Sequence, residues 1–217
     1  MLAYIHSQSF LILTQGFLLC AGLIVAIGPQ NLFVLQQGLR GQYLFVTALL
    51  CTLFDVLLIT LGIGGVGIMV ATYEQLLTAV TMGGAAFLFG YGVRSLRAAW
   101  IPQTSIAPHF TGRAVLSFKG TLLATCGFSL LNPGAYLDTI LMIGTTGSRF
   151  PFDERILFGA GAVLASGLWF FTLTYGANRL APLLQRPRVW RALDLVSGCI
   201  MVGTAGSLCI NQTIWLW

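Results

Sequence analysis

Six apolar stretches, at about 10–33, 44–70, 78–99, 118–147, 156–178 and 193–215, fill most of this 217-residue chain. Each reaches the ~20 residues that a helix needs to cross ~30 Å of hydrocarbon. Backbone groups cannot be left unpaired in that medium, so the runs are predicted to be helices. A soluble core accounts for one such run, not for six. Composition agrees, with 57% apolar and 8% charged residues, against about 45–50% and about 25% in soluble domains. The expectation is an all-α membrane protein with six transmembrane helices. The first stretch has no Lys or Arg ahead of it and outruns the apolar part of a cleaved leader, so it is read as a retained span.

Two of these stretches contain a helix breaker. Gly28-Pro29-Gln30-Asn31 interrupts the first, and Asn132-Pro133-Gly134 interrupts the fourth. Proline removes a backbone donor, glycine frees the backbone, and the amides supply donors and acceptors for what is left unpaired. Acids add a second constraint. Glu74, Asp153, Glu154 and Asp194 fall in loops or at span ends, where solvation or ion pairing is the expected state. Asp55 and Asp138 fall inside spans, and no basic residue accompanies Asp55 in Cys51–Leu58. A carboxylate at mid-bilayer costs about 2.5–3.5 kcal/mol on insertion scales and ordinarily faces a cavity or a partner. Broken helices beside buried acids are how many transporters build a substrate site. A carboxylate that only caps freed N–H groups is the structural alternative, chiefly for Asp138, which follows Pro133 closely.

Basic residues set the expected orientation. Arg40, then Arg94, Arg97, Arg113 and Lys119, then Arg179, Arg186, Arg188 and Arg191 lie in alternate loops, while Arg149 and Arg155 lie on the other side. The positive-inside rule makes the side with nine cytoplasmic, with both termini external. Because these residues cluster at span ends, the net charge of +5 does not point to nucleic acid.

The chain also divides in two. Residues 1–100 and 118–217 each hold three spans, joined by a cytoplasmic linker at 101–117 with Pro102, Pro108 and His109. Gly16-Phe17-Leu18-Leu19 before Pro29 has a counterpart 104 residues later in Gly120-Thr121-Leu122-Leu123 before Pro133. An odd number of spans per repeat inverts the second half relative to the first. The expected architecture is therefore two inverted three-helix repeats with broken first and fourth helices. Gly62, Gly64, Gly65 and Gly67, and the pairs at 83/84, 90/92 and 159/161, suit close helix packing. Trp100, Trp190, Trp215 and Trp217 read as interfacial anchors, and Trp169 as a candidate cavity residue. His6 and His109 lack metal-ligand spacing, so neither a metal nor an organic cofactor is expected.

Gly28-Pro29-Gln30-Asn31, the span bearing Asp55 with its Gly-rich end, Asn132-Pro133-x-x-Tyr136-Leu137-Asp138-Thr139, Ala165-Ser166-x-x-Trp169-Phe170 and Pro187-x-x-Trp190-Arg191 together resemble the lysine exporter (LysE) family. The form of the second breaker is most similar to its basic-amino-acid branch. The resemblance covers nearly the whole chain. It implies a secondary transporter, not an enzyme, in a bacterial inner membrane, moving lysine or arginine out of the cell. The chain shows no nucleotide-binding motif, so an ion gradient is the expected energy source, as proton antiport or as uniport driven by the membrane potential, and the small-residue faces leave room for a homodimer. The candidate residues for substrate or protons are Gln30, Asn31, Asp55, Asn132, Tyr136, Asp138 and Thr139, grouped around breaks at Gly28, Pro29, Pro133 and Gly134. A cationic amino acid suits two carboxylates, and the N–H groups after a break suit its α-carboxylate. Tyr136 is a candidate to stack on the cation.

Two alternatives remain open on these residues. A neutral amino acid would need only one acid. A CcdA-type thiol–disulfide transporter also has six spans with reactive cysteines in equivalent spans, and Cys20 and Cys126 sit in the first and fourth here, without a CxxC motif.

Overall fold

A computed structural model describes residues 2–26, 28–64, 74–100, 116–132, 135–182 and 187–215. Among them every regular element is helical: α1 (Leu2–Ile24), α2 (Pro29–Arg40), α3 (Leu44–Ile63), α4 (Glu74–Trp100), α5 (Phe118–Leu130), a π-helical segment (Tyr136–Ile143), α6 (Gly144–Gly147), α7 (Phe152–Leu180) and α8 (Pro187–Trp215).

The spans differ from expectation in instructive ways. Among the described residues, Leu44–Ile63, Phe152–Leu180 and the Trp190–Ile210 part of α8 are long and apolar enough to cross a membrane. The pair Gln8–Ile24 and Pro29–Arg40, whose axes differ by 83°, would make a fourth if it is one span. The stretch at 118–147 is not one helix. Its first piece, α5, has 13 residues and rises only about 20 Å. The stretch at 78–99 lies within α4, where Gly83, Gly84, Gly90, Gly92, Arg94 and Arg97 dilute the apolar character. Gly65 and Gly67 fall outside the described residues, as do Pro133, Gly134 and most of the linker.

Local signals explain most helix ends. Gly28 precedes α2 in an extended conformation, with Pro29 in the first turn, where its missing N–H costs nothing. Gly41 ends α2 at φ 68°, its N–H bonded to Gly38 O. Tyr43 then also takes a left-handed conformation, so three residues reverse the chain into α3. The Ser117 hydroxyl accepts from Gly120 N at 3.1 Å and starts α5. Asp153 and Glu154 sit in the first turn of α7 and Arg179 in its last, each matching the helix dipole. Arg155 donates to the carbonyls of Ile63, Ser148 and Phe150 at 3.2, 3.0 and 3.3 Å, so this cation closes the end of α3 and the turn before α7.

Helices meet where side chains vanish. A Cβ on Gly16 would strike the Phe158 carbonyl, and one on Gly161 the Leu13 carbonyl, so α1 and α7 touch backbone to backbone. Gly62 and Gly144 bring α3 against α6, and Gly92 and Gly198 bring α4 against α8. This is the small-residue packing expected in lipid. The outside is apolar: Phe10, Leu18, Leu53, Phe89, Leu123 and Leu168 are each more than half exposed. The inside is unusually polar, with Gln36, Gln37, Thr47, Thr121, Thr125, Ser129, Ser166, Thr174, Asp194 and Ser197 all at 4% exposure or less. That inversion of the soluble pattern fits a protein whose surroundings are hydrocarbon.

The largest core cluster lies between α2, α3, α4, α5, α7 and α8. Phe33 stacks on Phe128 with ring centroids 4.6 Å apart, and Phe87 and Tyr91 meet the Phe128 ring edge-on at 4.9 and 4.8 Å.

Candidate functional site

The bend between α1 and α2 is held by one side chain. Helix α1 ends with carbonyls that have no partner further along the helix. The Asn31 Nδ2 group donates to two acceptors there, Ile24 O at 2.6 Å and Ala26 O at 2.8 Å. Its Oδ1 accepts from the Trp169 indole of α7 at 3.1 Å. Asn31 thus commits both donors and one lone pair to the scaffold, leaving one lone pair for a ligand. The first turn of α2 keeps its backbone N–H groups free of side-chain caps.

Asp55 comes from the middle of α3 and is buried. Its Oδ2 accepts from Ser166 Oγ of α7 at 2.7 Å. Ser166 and Trp169 are three residues apart, so one face of α7 holds both Asp55 and Asn31. Gln30, the residue before Asn31 on α2, donates to Ser129 Oγ of α5 at 3.3 Å.

The second break is built differently. Helix α5 ends at Leu130, and the chain resumes as a π-helix carrying Tyr136, Asp138 and Thr139. π-turns are rare and recur at functional sites. The Tyr136 hydroxyl donates to Leu130 O at 2.6 Å and so closes the end of α5.

These pieces surround one cavity of about 320 Å³, within the size range of small-molecule sites. Gln30, Asn31, Asp55, Asn132, Asp138 and Thr139 all line it, with Gly28 and Pro29 at the bend. Six of the seven residues singled out from sequence are therefore brought together. The seventh, Tyr136, is not among the lining residues. Asp55 and Thr139 are buried and Asp138 is half-buried. Among the described lining residues there is no Lys, Arg or His to pair with the two carboxylates.

The cavity also has walls that the sequence did not announce. Cys20, Ile59, Phe170, Thr204 and Leu208 line it. Trp169 does not line it but acts through Asn31. Cys126 is absent from the lining while Cys20 is present, so the two cysteines considered for thiol exchange do not meet there. Asp194, expected to be solvated or ion-paired at a span end, is 1% exposed, and its backbone carbonyl accepts from Ser95 Oγ at 3.0 Å. The span-end placement was right in sequence terms, but α4 packs over that turn of α8. Among the described residues no group of three or more His, Cys, Asp or Glu could hold a metal.

Comparison with known proteins supplies a family. Residues 21–212 match the model of the LysE type translocators. YggA of Aeromonas salmonicida, which carries a provisional amino-acid-transporter name, is 42% identical over 191 residues, covering 88% of this chain and 92% of its own. The arginine exporter protein ArgO of Pectobacterium carotovorum subsp. carotovorum is 40% identical over 197 residues, covering 90% and 95%. The arginine exporter protein ArgO of Serratia proteamaculans is 40% identical over 192 residues, covering 88% and 92%. No solved structure matches the chain.

Proposed function

The chain belongs to the LysE type translocator family, and from that premise we propose that it is a secondary transporter exporting basic amino acids, arginine foremost, across a bacterial inner membrane. The observation that carries this reading is the cavity where Asp55 and Asp138 occur together without a lysine, arginine or histidine among the described lining residues. A zwitterion with a cationic side chain brings two positive groups and one negative group. Two carboxylates balance the cations, and the first-turn N–H groups of α2 face the carboxylate. A neutral amino acid would leave one acid without a positive partner. The relatives named as arginine exporters support the same choice.

The architecture we infer is the inverted repeat, residues 1–100 and 118–217 about a cytoplasmic linker at 101–117, with both termini external. Packing supports it: α3 lies on α7 and α4 on α8, α1 and α2 lie on α7, and α5 and the π-helical segment lie on α3. Each contact thus has a partner with the halves exchanged. One of the two acids exchanges a proton for the departing substrate, and Gln30, Asn132 and Thr139 orient it by hydrogen bonding.

The experiment is uptake and counterflow in liposomes holding the purified full chain, with labelled arginine, lysine and leucine. Arginine and lysine should move and leucine should not compete. Movement of leucine alone would overturn the basic-substrate reading, and dependence on an imposed pH gradient tests proton coupling.

A further inference from the structure

Behind the cavity a buried polar seam runs between α2 and α5. Gln30 and Gln37 are seven residues apart and fall on one face of α2. Thr121, Thr125 and Ser129 recur every fourth residue and make one face of α5. The faces run antiparallel and join at both ends, Gln30 Nε2 to Ser129 Oγ at 3.3 Å and Gln37 Nε2 to Thr121 Oγ1 at 3.3 Å. Between these bonds the stacked rings of Phe33 and Phe128 lie across the seam. Thr121 and Thr125 are 0% exposed, and Ser129 and Gln37 are 1%. Beside the seam, Gln36 donates to Ser197 Oγ of α8 at 2.9 Å.

Two facts make this more than packing. The amide oxygen of Gln37 is buried without a hydrogen-bond partner, so the seam is not satisfied in the closed arrangement. The seam also begins at a cavity residue, Gln30, and ends one turn from Arg40, whose Nε is likewise buried without a partner. Hydroxyl and amide side chains can bond helices together in lipid, but a row of five that leaves an amide oxygen unpartnered is more than that bonding requires. Such a row does suit a path that is wet in another conformation.

We propose that this seam is the closed inner passage: α2 parts from α5 along Gln30–Ser129 and Gln37–Thr121, and the substrate passes between them from the Arg40 end into the cavity. When α2 and α5 part, water or the substrate's own donors reach the Gln37 amide oxygen, and the Phe33–Phe128 stack is the apolar plug that seals the closed state. The passage rests on the exporter reading and adds its route and entry side.

The test uses the full chain in liposomes with labelled arginine. The double variant Gln37→Leu, Thr121→Val replaces one closing bond with apolar contact of similar size. Arginine transport should fall at least tenfold, arginine binding to the purified protein should stay within twofold, and the unfolding temperature should hold or rise. Transport within twofold of the native rate overturns the passage, as does a joint loss of binding and transport, which would move these residues into the binding site. A second measurement uses Gln37→Cys in inverted membrane vesicles, treated with an impermeant cationic methanethiosulfonate and read by mass spectrometry at residue 37. Labelling should rise severalfold with arginine present, whereas unchanged labelling during active transport overturns the proposal. Native protein that binds and moves no amino acid would sink the exporter reading itself.

Discussion

Asp55→Asn separates a charge from a shape. Asparagine keeps the volume and an acceptor for the Ser166 hydroxyl, whose bond to Asp55 is 2.7 Å long. What is lost is one negative charge in a cavity whose described walls hold no positive side chain. A cation placed about 4 Å from a carboxylate gains about 4 kcal/mol at the effective dielectric typical of protein sites. Water sharing the cavity lowers that gain. A loss between ~1.4 and ~4 kcal/mol corresponds to about tenfold to a thousandfold in transport of arginine. Insertion should be unharmed, since removing a charge lowers the cost of placing this helix in lipid. The assay is initial-rate uptake into liposomes at equal protein density, over a range of arginine concentrations. A rise in KM marks lost substrate binding, and a fall in maximal rate at constant KM marks a lost coupling charge. Asp138→Asn should show the complementary pattern. Native rates in both variants would refute the assignment of either acid to substrate or proton.

Asn31→Ala removes three hydrogen bonds at the bend, worth about 1 kcal/mol each, and should lower both thermal stability in detergent and transport. Trp169→Phe removes one of them, and a double-mutant cycle should return a coupling of about 1 kcal/mol; additivity would dissolve the link. Pro29→Ala should leave the bend intact with a change under about 1 kcal/mol, because position 29 needs no N–H and Asn31 holds the angle. Gly16→Ala should cost several kcal/mol in unfolding or abolish assembly, since a methyl there meets backbone. Gly203→Ala, with nothing within 4 Å, should be neutral or gain up to ~1 kcal/mol of helix propensity. Reporter fusions at either terminus should read as external, and a cytoplasmic C-terminus would overturn the inverted-repeat arrangement.

The cavity was legible because its residues are conspicuous. An aspartate or an Asn-Pro pair inside an apolar run has few reasons to be there, and the same physics that makes it costly draws it to a shared interior. Asp55, Asp138, Gln30, Asn31 and Asn132 stand out on that ground, and Thr139 comes with the family motif that follows Asn132-Pro133. The seam was harder to see. Thr121, Thr125 and Ser129 are common in membrane helices and give no signal until α2 is known to face them. The role of Asn31 as a cap and of Trp169 as its anchor needed the 83° bend, which a breaker announces without giving its angle. The π-winding of Tyr136–Ile143 left no trace in the apolar pattern, since it shifts hydrogen bonds and not hydrophobicity. Asp194 misled because sequence position at a span end says nothing about a neighbouring helix packing over it.

The two first helices of the halves are not mechanically equal. Gly16 locks α1 to α7 at a backbone-to-backbone crossing, whereas its sequence counterpart Gly120 has only Leu116 and Ser117 of its own turn as nearest atoms. One half is bolted and the other is hung. In the inner passage proposed above, α1 and α7 then serve as the stator and α5 as the part that moves. On the inverted-repeat reading, a single glycine contact gives two copies of one plan different trades.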